Sequence, residues 1–518
     1  MQLRKIKSAA TALTAAVVML LATGAVDVGR ESRAIETAEP AETTTTTAAL
    51  SAVAAVPAMK VMPVTYATTT ATTEAATTTP KTTAKKKTTK KTTTAAEEIP
   101  PETTTEAVTE TEAATTTTVP ETTVPTETEA ETATAGKKTE TAAAVPEQKK
   151  SGTRINYSDQ KGIWVPFMTL AELMQGRSEA QFRAGFEELC DNSKALGVNT
   201  LYVHTRAFSD AFYKSSMYPW SKWVTGTVDG DPGYDPLEIM IDCAHSRGLS
   251  LHAWINPYRA EKPDNLNSLS DSYIVKTWYS DPAAYPEYVN YVSSTGWCWL
   301  NPGIPAVREY IYDGVAEIAS RYNVDGLHID DYFYPTTETW FDAGVYATYG
   351  GGMSLADWRL WNCSETVAGI YRTVKSIDGD IVFGVAPSGN IEANYSAQYA
   401  DVYRWAAEPG FLDYIAPQIY FGYNNSYSPF LQRLQQWMDM PRHSGAAIYI
   451  GLAPANITLV NEYAVTDDII ASQIADSYAY GADGVALYSY ASFFMPEWGY
   501  EDKTAAERLS TAAELNKH

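Results

Sequence analysis

The sequence predicts an α/β fold, a (β/α)8 TIM barrel over residues 151–518 with long βα-loop insertions, preceded by a disordered Thr-rich linker. Three observations carry this. From Gly162 onward, short β-branched or aromatic runs alternate with helical stretches. Gly197, Gly248, Gly379, Gly410, Gly445 and Gly481 punctuate the short entries into six strands, as left-handed helix ends require. The exits are long instead, 207–235 after the second strand and 260–304 after the third. Long strand-to-helix loops with short returns mark a barrel whose function is built at the strand C-termini. An open doubly wound sheet is the alternative, but no Gly-rich phosphate loop follows any strand.

Eight strands are predicted, at 162–167, 198–206, 249–259, 324–334, 381–387, 413–421, 446–452 and 484–490. A period of two sorts their side chains. In the second, Leu201, Val203 and Thr205 share one face and Tyr202, His204 and Arg206 the other. In the third, Leu251, Ala253 and Ile255 oppose His252, Trp254 and Asn256; in the fourth, Leu327 and Ile329 oppose His328 and Asp330. The apolar sets are expected against the helices and the polar sets toward the axis. Gln418 and Tyr420 from the sixth strand and Tyr488 from the eighth join them.

The first 150 residues differ in kind. They hold no Trp, no Phe and one Tyr (Tyr66), with 38 Thr between 41 and 150, so they cannot bury a core. Residues 1–27 read as a secretory signal, with Arg4, Lys5 and Lys7 before a mild apolar run; an uncleaved anchor is the other reading. Residues 28–150 read as an extended, solvated spacer of a secreted or cell-wall-associated protein. The remaining chain carries 23 basic and 44 acidic residues, an excess of negative charge that disfavours nucleic acid as a partner. Cys190, Cys243, Cys298 and Cys363 have neither metal-ligand spacing nor a disulfide pattern and read as buried thiols. No metal or cofactor is expected.

The strongest local signal is the run from Val324 to Pro335, Val-Asp-Gly-Leu-His-Ile-Asp-Asp-Tyr-Phe-Tyr-Pro. Asp330 ends the fourth strand facing inward and Asp331 begins the loop. A carboxylate placed there serves an oxocarbenium-like transition state as nucleophile or charge stabiliser, and crowding raises the pKa of one member of a pair until it can act as an acid. The alternative is a structural carboxylate that holds Arg206 or Arg259, a reading that weighs more on Asp331 than on Asp330. For the second carboxylate the candidates are Glu392, just beyond the fifth strand, Asp401 on the following helix, which reads more readily as a cap or helix-face charge, and Asp210 after the second strand. Arg206, Asn256 and Arg259 supply donors for hydroxyls. Trp254, Tyr258, His328, Gln418, Tyr420 and Tyr488 complete the expected substrate contacts, since flat sugar faces stack on aromatic rings. Ser residues lack a Gly-x-Ser-x-Gly elbow, and no His/Cys/Asp set has zinc spacing.

Seven ordered motifs carry a resemblance over about residues 154–500. They are Lys161-Gly-Ile-Trp-Val, Asn199-Thr-Leu-Tyr-Val-His-Thr-Arg206, Gly233-Tyr-Asp-Pro-Leu-Glu238, Leu251-His-Ala-Trp-Ile-Asn-Pro-Tyr-Arg259, Leu300-Asn-Pro-Gly-Ile-Pro305, Asp325 to Pro335, and Asp413-Tyr-Ile-Ala-Pro-Gln-Ile-Tyr420. Together they resemble the glycosyl hydrolase-like family 10 proteins of bacterial envelopes. The resemblance implies a TIM-barrel glycosidase, with denuded peptidoglycan glycan strands as one substrate of the family, and Asp330 and Asp331 fall in its Asp-Asp-Tyr-Phe-Tyr-Pro motif. Family 18 chitinases are a rival, since Asp325-Gly-Leu-His-Ile-Asp330 begins like their fourth-strand motif. His328 replaces its inner Asp, however, and Tyr332 stands where its acid Glu belongs.

The expectation is therefore a glycoside hydrolase that cleaves a bacterial cell-wall or extracellular polysaccharide with two carboxylates. A non-catalytic glycan-binding barrel that localises to the wall is the alternative. The sequence sets no oligomeric state.

Overall fold

The computed structural model describes residues 153–459, 462–496 and 499–518. The expected signal (1–27) and linker (28–150) lie outside the described residues. Eight parallel strands close into a barrel: β1 (Lys161–Val165), β2 (Thr200–Arg206), β3 (Ser250–Ile255), β6 (Gly326–Ile329), β7 (Val382–Val385), β8 (Tyr414–Ile415), β9 (Ala447–Leu452) and β10 (Gly484–Leu487). The order around it is β1-β10-β9-β8-β7-β6-β3-β2, with β2 pairing back onto β1. All eight predicted strands are present. Inside the long exit after β3 lies an antiparallel hairpin that the sequence reading leaves as loop, β4 (Val289–Val292) with β5 (Trp297–Leu300).

Local signals explain how helices are delivered to the barrel wall. The helix Glu179–Leu196 opens on a capping box between Ser178 and Gln181 and closes on Gly197 at φ 100°. Each end satisfies backbone groups that the helix itself leaves free. At the strand N-termini, Asp325 accepts from the backbone N–H of Ile155 (2.7 Å) and Leu251 (2.8 Å) and bonds His245 Nε2 (2.8 Å). That carboxylate ties β3 and β6 at the closed end of the barrel, opposite the mouth.

The period of two divides the interior into two cores. Ile163, Val165, Leu201, Val203, Leu251, Ala253, Leu327 and Ile329 face outward and are buried against the helices. Trp164, Tyr202, Trp254, Ala386, Tyr414, Tyr449, Ala486 and Tyr488 fill the lumen. Rings this large fit because inward positions opposite them are glycine. A Cβ at Gly384 would fall inside the Tyr414 ring, and one at Gly162 would meet the Tyr202 ring. The lumen is a packed floor, and the site lies above it.

Candidate active site

The floor of the site is a chain of hydrogen bonds with fixed direction. Trp164 Nε1 donates to His328 Nε2 (3.0 Å), which leaves the His328 proton on Nδ1, facing the Tyr414 hydroxyl (2.9 Å). That hydroxyl then donates to His252 Nδ1 (2.9 Å). Burial holds His328 well below the usual histidine range, with His252 adding to it, and burial brings His252 down to about 4. Both rings are neutral packing elements. His328 is fully buried with both nitrogens occupied, which corrects its expected role as a substrate contact.

Asp330 follows directly on β6 and is 3% exposed; its Oδ1 has no hydrogen-bond partner among the described residues. Burial, then the charge of Asp331, pushes its carboxyl well above the usual range; Arg259, the nearby Trp254 indole N–H and the Tyr332 backbone N–H oppose the rise. Asp331 is half-buried. Burial raises its pKa as well, opposed by its own backbone N–H and by the nearby amides of Gln418 and Gln398. Burial raises both carboxyls, and Asp330 is the more deeply buried of the two.

Around this pair the strand ends bring together most of the expected polar set. Arg259 lies with its guanidinium carbon 4.0 Å from the Tyr332 ring centroid and 4.4 Å from that of Phe208. Its Nε donates to the Ala207 carbonyl (3.3 Å), which also accepts from Asn256 Nδ2 (3.3 Å). His204 Nδ1 accepts from the Phe167 backbone (3.1 Å), so its Nε2 carries the proton toward Asn256 Oδ1 (3.3 Å). The same imidazole stacks on Trp254 at 3.3 Å between centroids and 15° between planes. Gln418 is pinned by donation to the Ala386 carbonyl (2.8 Å). Tyr420 and Tyr488 stand 5.8 Å apart beside Trp164. Burial keeps both phenols protonated, and the negative field of Asp330 and Asp331 adds to it.

Four further expectations are corrected by position. A β-bulge between His204 and Arg206 breaks the alternation of β2: His204 pairs with Trp254, but Arg206 pairs with Ile255, an outward residue. Arg206 is consequently buried behind the barrel wall, its guanidinium 4.5 Å from the Tyr218 ring centroid. Tyr258 is fully buried in the helix layer beside Cys363, Thr366 and Arg308. Asp210 is 2% exposed and caps a turn, accepting from the backbone N–H of Ala207 (3.1 Å) and Phe208 (2.9 Å). Glu392 is exposed in the first turn of the helix Ile391–Ser396 and bonds Arg433 at 2.5 Å. Partial burial pushes its pKa up, but its own backbone N–H and Arg433 outweigh this and hold it low.

Sequence reasoning missed Tyr332, Phe208 and Gln398. Tyr332 was legible as the next residue after the Asp pair; Phe208 and Gln398 belong to loops with no periodic pattern.

A family model described as Glycosyl hydrolase-like 10 matches residues 160–467. The protein named glycosyl hydrolase DigH of Escherichia coli (strain K12) is 37% identical over 299 residues, 54% of this chain and 66% of that protein. Glycosyl hydrolase YngK of Bacillus subtilis (strain 168) is 33% identical over 304 residues, 55% of this chain and 58% of that one. The chain thus spans less than two thirds of the length of these relatives. The structure of the PgaB (BpsB) glycoside hydrolase domain from Bordetella bronchiseptica aligns with a TM-score of 0.45 at 12% identity, over 67% of this chain and 99% of that one. The match over 160–467 takes in all of the barrel except its last strand, and with it the Asp330–Asp331 pair, so the chain belongs to the glycosyl hydrolase-like 10 family.

Proposed function

We propose that this protein is a glycoside hydrolase acting on a bacterial cell-wall or extracellular polysaccharide, with denuded peptidoglycan glycan strands as the first substrate to examine. The observation that carries the reading is the Asp330–Asp331 pair at the barrel mouth, with Asp330 buried and its proton held beside a more exposed carboxylate. Its membership of the glycosyl hydrolase-like 10 family and the names of its relatives support the same reading.

In this scheme Asp330 gives its proton to the glycosidic oxygen as the bond breaks. Asp331, ionised in this scheme, faces the positive charge that develops on the sugar ring; water then adds to that carbon and gives its proton to the Asp330 carboxylate, which restores the acid. Trp254, Tyr420 and Tyr488 offer aromatic surfaces to the apolar faces of sugar rings. Asn256, Arg259 and Gln418 take hydroxyls. Secretion and wall association by way of residues 1–150 are part of the proposal, resting on composition. Incubating the purified protein with denuded glycan strands and following new reducing ends by mass spectrometry tests it. Binding without new ends would favour a glycan-binding barrel instead.

A further inference from the structure

We propose that Asp210, which touches none of the reacting groups, is a positioning residue for Arg259: its carboxylate clamps the turn that holds the guanidinium in place near Asp330 and Asp331. The inference rests on the reading of that pair as the reacting carboxylates. The connection is continuous. Asp210 Oδ1 accepts from the backbone N–H of Ala207 (3.1 Å) and Phe208 (2.9 Å). The Ala207 carbonyl, on the other side of the same turn, accepts from Arg259 Nε and Asn256 Nδ2, each at 3.3 Å. The Phe208 ring covers one face of the guanidinium at 4.4 Å and Tyr332 lies against it at 4.0 Å. Ser209, between the two clamped amides and Asp210, has φ 54°, a left-handed value that a non-glycine residue adopts only where its surroundings hold it.

What sits behind the clamp explains why an acid is used there. Asp210 lines a small cleft with Phe208, Lys222, Glu261, Asn265 and Leu266. Glu261 is itself held by Asn265 Nδ2 (2.6 Å) and Lys222 Nζ (3.6 Å). Burial, then the Glu261 charge, raises the Asp210 pKa to about 6, while Ser221 and the two clamped amides oppose the rise. A group built only to fill space would be met by an apolar residue. Here a buried carboxyl is retained because two backbone amides need a strong acceptor, and those amides fix the carbonyl that orients Arg259.

Arg259 lowers the pKa of both Asp330 and Asp331, so a displaced guanidinium is readable as a change in Asp330 titration. The other groups facing Asp330 are Trp254 from β3, Tyr332 from its own loop, Tyr420 from the segment after β8 and Tyr488 at the end of β10. His204 on β2 faces Arg259 and is neutral. None of these is altered in the variants below.

The experiment follows Asp330 in the full-length protein by carbon-13 carboxyl NMR against pH, assigned with Asp330→Asn, in wild type, Asp210→Ala, Asp210→Asn, Arg259→Met and the Asp210→Ala/Arg259→Met double variant. The Asp330 midpoint should rise by about 1 on the pH scale in Asp210→Ala and in Arg259→Met, the size expected for losing an opposite charge nearby. It should stay near wild type in Asp210→Asn, whose amide oxygen still accepts from the turn. The double variant should rise no further than Arg259→Met alone. On the glycan, Asp210→Ala should lower kcat/KM about a hundredfold, and the loss should vanish in the Arg259→Met background. An unmoved midpoint in Asp210→Ala, or equal losses in both backgrounds, overturns the positioning role. A moved midpoint in a protein that cleaves no glycan sustains the positioning role and rejects the proposed hydrolysis instead.

Discussion

Arg259 rests on Tyr332, guanidinium carbon to ring centroid 4.0 Å, and this contact joins the end of β3 to the loop that carries Asp331. The ring covers one face of the cation while Phe208 covers another at 4.4 Å, leaving Arg259 little water to be stabilised by. A cation placed so lowers the pKa of the two carboxyls near it, against the rise that burial causes. On Asp331 it adds to the larger effect of the backbone, Gln418 and Gln398, and on Asp330 it is the first of the groups that oppose burial.

The first prediction separates the candidate partners of Asp330. Asp331→Asn should lower turnover about a thousandfold, because it removes the charge facing the developing cation. Glu392→Gln should leave turnover within about twofold, since its exposed carboxylate is paired with Arg433. Steady-state rates on one glycan decide between them. The reverse pattern would move the second carboxylate to Glu392.

The second concerns the pH dependence of stability. Asp210 is raised to about 6 and Asp330 well above its usual value, so the folded state holds these protons more firmly than the unfolded chain does. The stability they contribute is full below about pH 4, the unfolded carboxyl value, and is lost as pH rises through the folded values. Asp210→Asn and Asp330→Asn remove that loss. Each variant should show a higher Tm than wild type at pH 8 and a similar one at pH 4, measured by calorimetry.

The third tests the lumen. In Gly384→Ala the added methyl would fall inside the Tyr414 ring, and that ring cannot swing aside while its hydroxyl bonds His252 and His328. Overpacking at a fixed site should cost about 3 kcal/mol or more. A urea unfolding curve that matches wild type would show that the lumen can relax.

The fourth concerns metals. The two-carboxylate scheme needs none, and turnover should survive prolonged chelation. Loss that Zn²⁺ or Ca²⁺ restores would replace it with metal assistance.

Most of the barrel was legible because a regular strand writes its two faces into alternate positions. Trp254, His328 and Asp330 fell inward as the alternation requires. Where the chain leaves that regularity, the reading failed for a physical reason. The bulge after His204 turned Arg206 outward, and no residue type in Val-His-Thr-Arg announces an extra residue. β3 ends at Ile255, so the period of two had already lapsed before Tyr258, which turned into the helix layer. Alternation also says nothing about depth. His328 points to the axis as expected but lies on the floor, with both nitrogens taken by Trp164 and Tyr414. Asp210 stood in the right loop, and only the backbone amides it accepts from show that it supports the site rather than lining it.

The most direct test of the account is the turnover of Asp330→Asn on denuded glycan strands, with glycan affinity measured alongside. The amide keeps the shape of the carboxyl but has no proton to transfer and no charge to develop. Turnover should fall by about a thousandfold or more while affinity stays near wild type. An Asp330→Asn protein that releases reducing ends at a near-normal rate would contradict the assignment of Asp330 as the reacting acid.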